Sequence, residues 1–177
     1  GSGKSTTINL ICGVFPVDLG NISVDNRNVT GLLTHERVAS GISRTFQNIR
    51  LFKDLSVWQN VWVALQQDSN QSAGWIKEWF GNSKKQKEKI KEILVFSGLS
   101  NRFNDLGGNL SFGEQRRLEL ARAIASKPKL ILLDEPAAGM NSDEVADLRQ
   151  RILDLKKLGL TVLLVEHVMD LVMNVVD

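Results

Sequence analysis

The sequence predicts an α/β fold with a mainly parallel sheet. Two apolar runs, residues 130–133 and 161–165, have the length and composition of buried parallel strands. Between them, residues 141–158 carry apolar side chains at helical spacing, with Asn141 as the predicted N-cap and Gly159 as the stop. Strand, helix and strand in this order form a βαβ unit, whose two strands pair in parallel.

The middle of the chain differs from its ends. Residues 55–99 carry no convincing strand, whereas Ser56 begins a capping-box pattern and residues 85–99 are amphipathic at helical spacing. Two shorter strand-like segments, 21–25 and 42–46, precede this region. We therefore expect one partial domain over residues 1–177, with an α/β core at 1–54 and 127–177 and a helical subdomain at 55–126.

Composition narrows the class of protein. The 177 residues are 42% hydrophobic and 24% charged, and a net charge of +2 gives no argument for a nucleic-acid partner. The single cysteine, Cys12, excludes an internal disulfide and is interpreted as a small core residue. No run of about 18 apolar residues is present, so we expect no membrane-spanning helix.

The first residues match the second half of the phosphate-binding pattern G-x-x-x-x-G-K-[ST]. Lys4 can reach the β- and γ-phosphates of a nucleotide, the Ser5 hydroxyl can ligate Mg²⁺, and the following helix directs its positive end at the same anion. Since the leading Gly would precede residue 1, we interpret the chain as truncated at both ends. Nucleotide binding is predicted for Gly1, Ser2, Gly3, Lys4, Ser5 and Thr6.

Two adjacent acids follow the apolar strand at 130–133. A parallel strand delivers Asp134 to the edge of the sheet where ligands bind, and its carboxylate can hold Mg²⁺ there. Glu135 can orient a water for attack on the γ-phosphorus. The structural alternative is two solvated acids before a Pro turn. The presence of the phosphate loop in the same chain disfavours it.

Three further polar positions are ambiguous when each is taken alone. Ser111 begins a capping box with Glu114, and a capped helix end with Ser111 and Gly113 exposed is also an anion site. Gln47 leaves one predicted strand, and His167 follows another. Each of these could be an ordinary polar residue at the end of a secondary-structure element.

Taken together, these segments resemble the ATP-binding subunit of ABC transporters. The resemblance covers nearly the whole chain, and the order of five motifs is far more specific than any one of them. It favours functional roles for Gln47, Ser111 and His167. It implies the Walker A motif at Lys4 and Ser5, the Q-loop at Gln47 and the signature motif at Ser111 and Gly113. It also implies the Walker B motif with the catalytic glutamate at Asp134 and Glu135, and the H-loop at His167.

Within that family, the chain resembles the branched-chain amino-acid importer subgroup, and a urea or short-amide importer is the close alternative. The segments that carry this likeness are residues 41–52, 113–119, 135–141 and 165–173. Phe112 and Glu114 depart from the commoner ABC signature, and residues 138–141 depart from the commoner D-loop. The subgroup shares these changes, which leaves the side-chain contacts of both motifs open.

The resemblance implies an ATPase that works as a head-to-tail dimer around two ATP molecules and Mg²⁺. Ser111 and Gly113 of one protomer would face the nucleotide held by the other. Catalysis is assigned to Glu135, His167 and Gln47, and metal binding to Ser5, Gln47 and Asp134.

The same resemblance implies the setting in which the ATPase works. Its partners would be integral-membrane permease subunits, a homologous ATP-binding subunit and, indirectly, a periplasmic or extracellular solute-binding protein, with no nucleic acid. It would lie peripherally on the cytoplasmic face of the plasma (inner) membrane and power the import of branched-chain amino acids.

Two rival classes and one surface question stay open. A soluble ABC ATPase acting on ribosomes or DNA is disfavoured by the short insertion and the lack of a basic stripe. A nucleotide-gated scaffold without turnover is disfavoured by Glu135 and His167. Trp58 and Trp62 fit a helical core face, or else a groove for a permease helix, and residues 74–81 suggest a membrane or permease contact.

Overall fold

The computed structural model describes residues 3–45, 49–65 and 83–176. The chain forms two compact units, one from Gly1–Asn48 with Lys127–Asp177 and one from Ile49–Ser126. In chain order, the helices and strands are α1 (Lys4–Ile11), β1 (Ser23–Val24), β2 (Arg27–Asn28), α2 (Thr34–Ala39), β3 (Ile42–Arg44), α3 (Val57–Leu65), α4 (Ser83–Phe96), α5 (Phe112–Ala125), β4 (Leu130–Asp134), α6 (Ser142–Lys157), β5 (Thr161–Val165) and α7 (Met169–Val175).

The first unit is built on a three-stranded parallel sheet in the order β3-β4-β5. Leu130 of β4 pairs with Ile42 of β3 and with Thr161 of β5, so the three strands begin at the same level. One backbone hydrogen bond continues the pairing beyond the end of β4: the Glu135 N–H donates to the Val165 carbonyl at 2.8 Å. The predicted α/β fold and βαβ unit are confirmed.

The strand predicted at 21–25 is only partly correct. β1 is short and pairs antiparallel with β2, so it forms a separate hairpin and does not extend the parallel sheet. Asp25 and Asn26 make the two-residue turn with φ angles of 51° and 60°. Asn and Asp tolerate this left-handed conformation, which the twist of a tight hairpin requires.

The ends of α6 follow the predicted pattern. The Asn141 side chain accepts from the N–H groups of Asp143 and Glu144, both at 3.0 Å, and the Glu144 carboxylate accepts from the Asn141 N–H at 3.0 Å. Gly159 follows the helix with a φ of 82°, a conformation open to Gly and costly for other residues. The predicted capping box and glycine stop are confirmed.

Apolar side chains cover the sheet of the first unit. One cluster joins Ile8 of α1 and Cys12 to Ile42, Leu132 and Val165. Since side chains alternate along a strand, the neighbours of Leu132 in β4 project to the opposite face. Cys12 is buried, as predicted for a small core residue, and burial raises the pKa of its thiol. A raised pKa disfavours the thiolate, which is consistent with a packing role.

The second unit is helical among the residues described. Its core joins α3, α4 and α5, with the completely buried residues Val57, Val61, Leu94, Leu99 and Leu118. Trp58 and Trp62 are partly buried and pack against this core, and the Trp58 ring stacks on Phe103 at a centroid distance of 6.2 Å. The helical core interpretation of this pair is confirmed. Trp75 and Trp79, within the predicted contact at 74–81, lie outside the described residues.

Arg37 is an unusual component of the first unit, because a guanidinium with 2% exposure lies among backbone carbonyls. It donates to the carbonyls of Leu10 and Ile11, at the C-terminal end of α1, and to those of Thr30 and Leu32. A cation at a helix C-terminus also meets the negative end of the helix dipole. The side chain therefore fixes the end of α1 to the segment that follows the hairpin.

Replacing Arg37 with methionine should lower the free energy of unfolding by about 1–3 kcal/mol, because carbonyls shielded from water lose their donor. Urea unfolding of the full-length protein measures this change. The matched control is His35→Ala, since His35 is an exposed residue of the same helix. It should shift stability by less than about 0.5 kcal/mol. Equal effects of the two substitutions would contradict this assignment.

Candidate functional site

The phosphate-loop residues lie at the beginning of α1. Gly3 precedes the helix with a φ of 77° and a ψ of 1°, a left-handed conformation that glycine adopts without strain. Lys4, Ser5 and Thr6 form the exposed first turn of α1, whose leading N–H groups have no acceptor within the helix. This is the arrangement that binds phosphate at a helix N-terminus. Gly1 and Ser2 lie outside the described residues.

The carboxylate of Asp134 lies at the end of β4 and is linked to α1 by Arg44. The Arg44 guanidinium donates to Asp134 Oδ2 at 2.8 Å and to Asn9 Oδ1 at 2.6 Å. Asn9 is one helical turn after Ser5, so the two share a face of α1. The side chains of Arg44 and Asp134 are only 13% and 10% exposed. The first unit therefore brings the helix of the phosphate loop and the strand-end acid into one hydrogen-bonded group.

Sequence reasoning assigned no role to Arg44. A signal was present, because an arginine within a short buried strand must find a counter-charge or several acceptors. The parallel pairing of β3 with β4 makes Asp134 an available carboxylate on the neighbouring strand. A reader of the sequence could therefore have paired the two residues once this strand order was assumed.

Glu135 has a left-handed backbone, with a φ of 49°. Such a conformation costs a non-glycine residue on the order of 1–3 kcal/mol and is retained where the surrounding structure imposes it, often at functional sites. Here the Glu135 N–H donates to the Val165 carbonyl of β5 at 2.8 Å, while Pro136 follows directly. The side chain of Glu135 is 26% exposed, so its carboxylate is partly accessible to a ligand.

His167 contacts the Glu135 carboxylate. The distance between His167 Nε2 and Glu135 Oε1 is 3.2 Å, which permits a hydrogen bond from a neutral imidazole protonated on Nε2 and an ion pair from a charged one. The two residues follow adjacent parallel strands, β4 and β5. The imidazole is 65% exposed. Two of the predicted catalytic residues are thus in direct contact.

Ser111 and Gly113 lie in the second unit, at the start of α5. Ser111 is the N-cap, with its hydroxyl accepting from the Glu114 N–H at 3.4 Å and the Glu114 carboxylate accepting from the Ser111 N–H at 2.9 Å. Ser111 is exposed, whereas Gly113 is buried within the first turn, so the predicted exposure is wrong for Gly113. The predicted capping box is confirmed, and the role of this helix end in binding anions remains a prediction.

The Glu114 carboxylate also pairs with Arg102, whose Nε lies 2.9 Å from Glu114 Oε1. The backbone N–H of Ser111, and then Arg102, hold the pKa of this carboxyl below its ordinary value. The neighbouring Phe112, which departs from the commoner signature, is 44% exposed and lies beneath the Arg116 guanidinium at 5.4 Å from the ring centroid. The unusual residues of the segment therefore organise its first turn.

Gln47 lies outside the described residues, so its predicted role is untested.

The segment at residues 50–52 is anchored within the second unit by Arg122 of α5. The Arg122 guanidinium donates to the Arg50 carbonyl and lies over the Phe52 ring at 4.8 Å from the centroid. Burial lowers the pKa of Arg122. The segment beyond Gln47 is therefore tied to the helix that begins at Ser111.

A metal ion at this site would depend on the nucleotide. Among residues 3–45, 49–65 and 83–176, no three His, Cys, Asp or Glu side chains form a cluster that could hold a metal. Mg²⁺ at nucleotide sites is held by one or two protein oxygens together with phosphate oxygens and water. One carboxylate at Asp134 and one hydroxyl at Ser5 fit that pattern.

Within the part of the chain that the structure describes, no helix has the length and apolar character needed to cross a membrane.

A phosphate loop, an acid at the end of a buried parallel strand and a following glutamate define a P-loop nucleoside triphosphatase. The sequence profile of the ABC transporter family matches residues 1–138. The chain belongs to this family, and it is an ATP-binding cassette that hydrolyses ATP. The family resemblance expected from the ordered motifs is confirmed.

Two relatives of the chain bear names of branched-chain amino acid transport proteins. BraF, a high-affinity transport ATP-binding protein of Pseudomonas aeruginosa, is 38% identical over 100% of this chain and 71% of BraF. LivG of Methanocaldococcus jannaschii, named as a probable transport ATP-binding protein, is 35% identical over 100% of this chain and 70% of LivG. LptB of Escherichia coli, from a lipopolysaccharide export system, is 35% identical over 94% of this chain and 65% of LptB.

Solved structures show the same fold. The ATP-binding cassette MJ1267 in its ADP conformation superposes with a TM-score of 0.82 at 34% identity, covering 99% of this chain and 70% of that cassette. The dimeric cassette MJ0796, in a post-hydrolysis state with ADP and Pi, gives a TM-score of 0.80 at 26% identity over 98% of this chain and 73% of its own. The predicted ABC-type α/β core is confirmed.

Glu114→Gln should make the stability difference from the wild type depend on pH. Because the pKa of Glu114 is lower in the folded than in the unfolded protein, ionised Glu114 stabilises the fold above the unfolded pKa of about 4.3. The free energy of unfolding of the wild type should exceed that of the variant by up to about 1 kcal/mol at neutral pH. This advantage should vanish as the pH falls through the folded pKa, because glutamine mimics the protonated acid. Urea unfolding across this pH range tests it, and a difference independent of pH would contradict it.

Proposed function

We propose that this cassette powers the import of branched-chain amino acids through a membrane permease. The observation that supports this most directly is whole-chain identity of 38% and 35% to two relatives named for that transport. A cassette for another solute is the second candidate. It is favoured by LptB, which is 35% identical over 94% of the chain and named for lipopolysaccharide export. A urea or short-amide importer belongs to this second candidate.

The nucleotide would be held by the first turn of α1. Lys4 would neutralise charge on the β- and γ-phosphates, while the leading N–H groups of α1 would donate hydrogen bonds to the same oxygens. Mg²⁺, when bound, supplies charge neutralisation at the phosphates. Ser5 and Asp134 would hold it, with Gln47 as a further ligand. The Arg44 bridge between Asn9 and Asp134 supports this arrangement, because it links the helix of the loop to the acid.

Hydrolysis would be performed by Glu135 and His167. The Glu135 carboxylate would orient the attacking water and accept its proton, and the His167 imidazole would donate a hydrogen bond to the γ-phosphate. The 3.2 Å contact between them supports this division, because both groups can then reach the same small volume. The left-handed backbone of Glu135 also agrees with a role in catalysis.

We propose that the α/β unit binds the nucleotide and that the helical unit carries the signature motif to a second protomer. Ser111 and Gly113 would then present the start of α5 to the γ-phosphate bound by a related ATP-binding subunit. ATP would hold this dimer closed, and hydrolysis would release it. The dimeric cassette MJ0796 supports such an assembly by likeness. A permease, and through it a solute-binding protein, would complete the complex at the cytoplasmic face of the plasma membrane.

Glu135→Gln should abolish turnover while ATP still binds. Glutamine cannot accept the proton of the attacking water, so kcat should fall by at least about 100-fold. ATP should then hold a stable dimer, which size-exclusion chromatography with ATP and Mg²⁺ would detect. Steady hydrolysis by a clean preparation of the full-length variant would remove Glu135 from its proposed role.

The matched contrast is Lys4→Ala, which should weaken nucleotide affinity itself. Loss of the ammonium removes a charge-assisted contact to the phosphates, which is worth roughly 1.5–3 kcal/mol. Titration with a fluorescent ATP analogue separates the two variants, because only Lys4→Ala should bind less. Unchanged binding by Lys4→Ala would count against the phosphate-loop assignment.

The solute can be tested in the assembled transporter. Permease subunits reconstituted with this ATPase in proteoliposomes should take up labelled leucine, isoleucine or valine in an ATP-dependent manner. Urea, short amides and an unrelated amino acid are the comparison solutes. Uptake of urea in place of leucine would select the second candidate, and hydrolysis without any uptake would favour a cassette that does not serve a permease.

A further inference from the structure

The carboxylate of Glu166 receives hydrogen bonds from two separate segments of backbone. Its Oε1 accepts from the His167 N–H at 2.7 Å and from the Val168 N–H at 3.2 Å. Its Oε2 accepts from the Ala137 N–H at 3.0 Å. Glu166 follows β5 directly, and its side chain is partly buried. One carboxylate thus joins the segment that begins at His167 to the turn that follows β4.

The turn at Ala137 is the one that carries Glu135. The Ala138 N–H donates to the Glu135 carbonyl at 3.2 Å, and the Met140 N–H donates to the Ala137 carbonyl at 3.1 Å, so the backbone folds back on itself there. Glu135 has a left-handed φ of 49°, which must be imposed by its neighbours. The bond from Ala137 to Glu166 is one such constraint, two residues beyond the strained position.

Only a carboxylate satisfies all three N–H groups. An ionised carboxylate is an acceptor at both oxygens, whereas an amide offers one acceptor and one donor group. Hydrogen bonds to an ionised acceptor are also about twice as strong as those between neutral groups. The link between the two segments therefore depends on the charge of Glu166 and on the length of its side chain.

We propose that Glu166 is a positioning residue of the hydrolytic site, where it sets the placement of Glu135 relative to His167. The carboxylate touches neither the nucleotide nor the water; it acts through the two backbone segments that it joins. The inference rests on the proposed roles of Glu135 and His167 and adds a third residue on which their 3.2 Å contact depends. A displacement of about 1 Å in a catalytic group can cost about 100-fold in rate, so the bridge would have a kinetic effect.

The first variants are Glu166→Gln and Glu166→Asp in the full-length ATPase. Glutamine keeps the size but loses one acceptor, so one of the two segments is released. Aspartate keeps the charge and can still accept from the N–H groups that follow it, but it is one methylene too short to span to Ala137 as well. Both should lower kcat roughly 10- to 100-fold. The KM for ATP should stay within about threefold, because the phosphate loop is untouched.

The matched control is Glu36→Gln. The Glu36 carboxylate also accepts a backbone bond, from the Leu33 N–H at 2.7 Å, but it lies at the exposed start of α2 in the same unit. The Glu36→Gln variant should have a lower melting temperature than the wild type and an unchanged kcat. If Glu166→Asp keeps the wild-type kcat, the bridge to Ala137 is unnecessary and the proposal is overturned. A fall in melting temperature at wild-type kcat for Glu166→Gln would overturn it as well, by showing a purely structural role.

A double-mutant cycle with His167→Ala gives the sharpest test. If Glu166 acts through His167 and Glu135, then Glu166→Gln should reduce kcat much less in the His167→Ala background than in the wild type. Fully multiplicative losses would overturn the proposal. Failure of the proposed function is distinguishable, because it would appear as sustained hydrolysis by Glu135→Gln. Inactive Glu135→Gln and His167→Ala beside fully active Glu166 variants would reject this inference alone.

Discussion

The parallel pairing of β4 with the strands on either side is the constraint on which the described site depends. Parallel strands end at the same edge, so residues at the ends of β3, β4 and β5 meet there although they are far apart in sequence. Arg44 and Asp134 are separated by 90 positions and share a hydrogen bond of 2.8 Å. An antiparallel arrangement would send one of these strand ends to the opposite edge and would separate the acids from the residues that contact them.

The same edge gathers three carboxylates, and each of them has a complementary partner. Asp134 meets the Arg44 guanidinium, Glu135 meets His167, and Glu166 meets backbone N–H groups. Burying a carboxylate without such a partner would cost several kcal/mol (about 3–5 when a buried pair is broken). These contacts hold the three carboxylates in fixed positions at the edge of the sheet.

Local patterns predicted much of this fold, and long-range contacts explain what they did not predict. The cap at Asn141 and the stop at Gly159 are set by neighbours in sequence, so their geometry could be read directly. The segment at 21–25 was misread because the turn chemistry of Asp25 and Asn26 was not recognised. Arg37 reaches carbonyls up to 27 positions away, and no periodicity signals such a contact. The order of motifs identified the family, while single motifs left Gln47, Ser111 and His167 ambiguous.

The backbone at Glu135 has a consequence for how this position can evolve. Glycine or asparagine would adopt its positive φ with less strain than glutamate, and either would relax the turn after β4. With the role in hydrolysis proposed for Glu135, selection for turnover would oppose the replacement of this residue by one that suits the backbone better. A descendant freed from that demand, for example a duplicated subunit that binds ATP at an idle second site, should lose its glutamate early and become more thermostable as it does so.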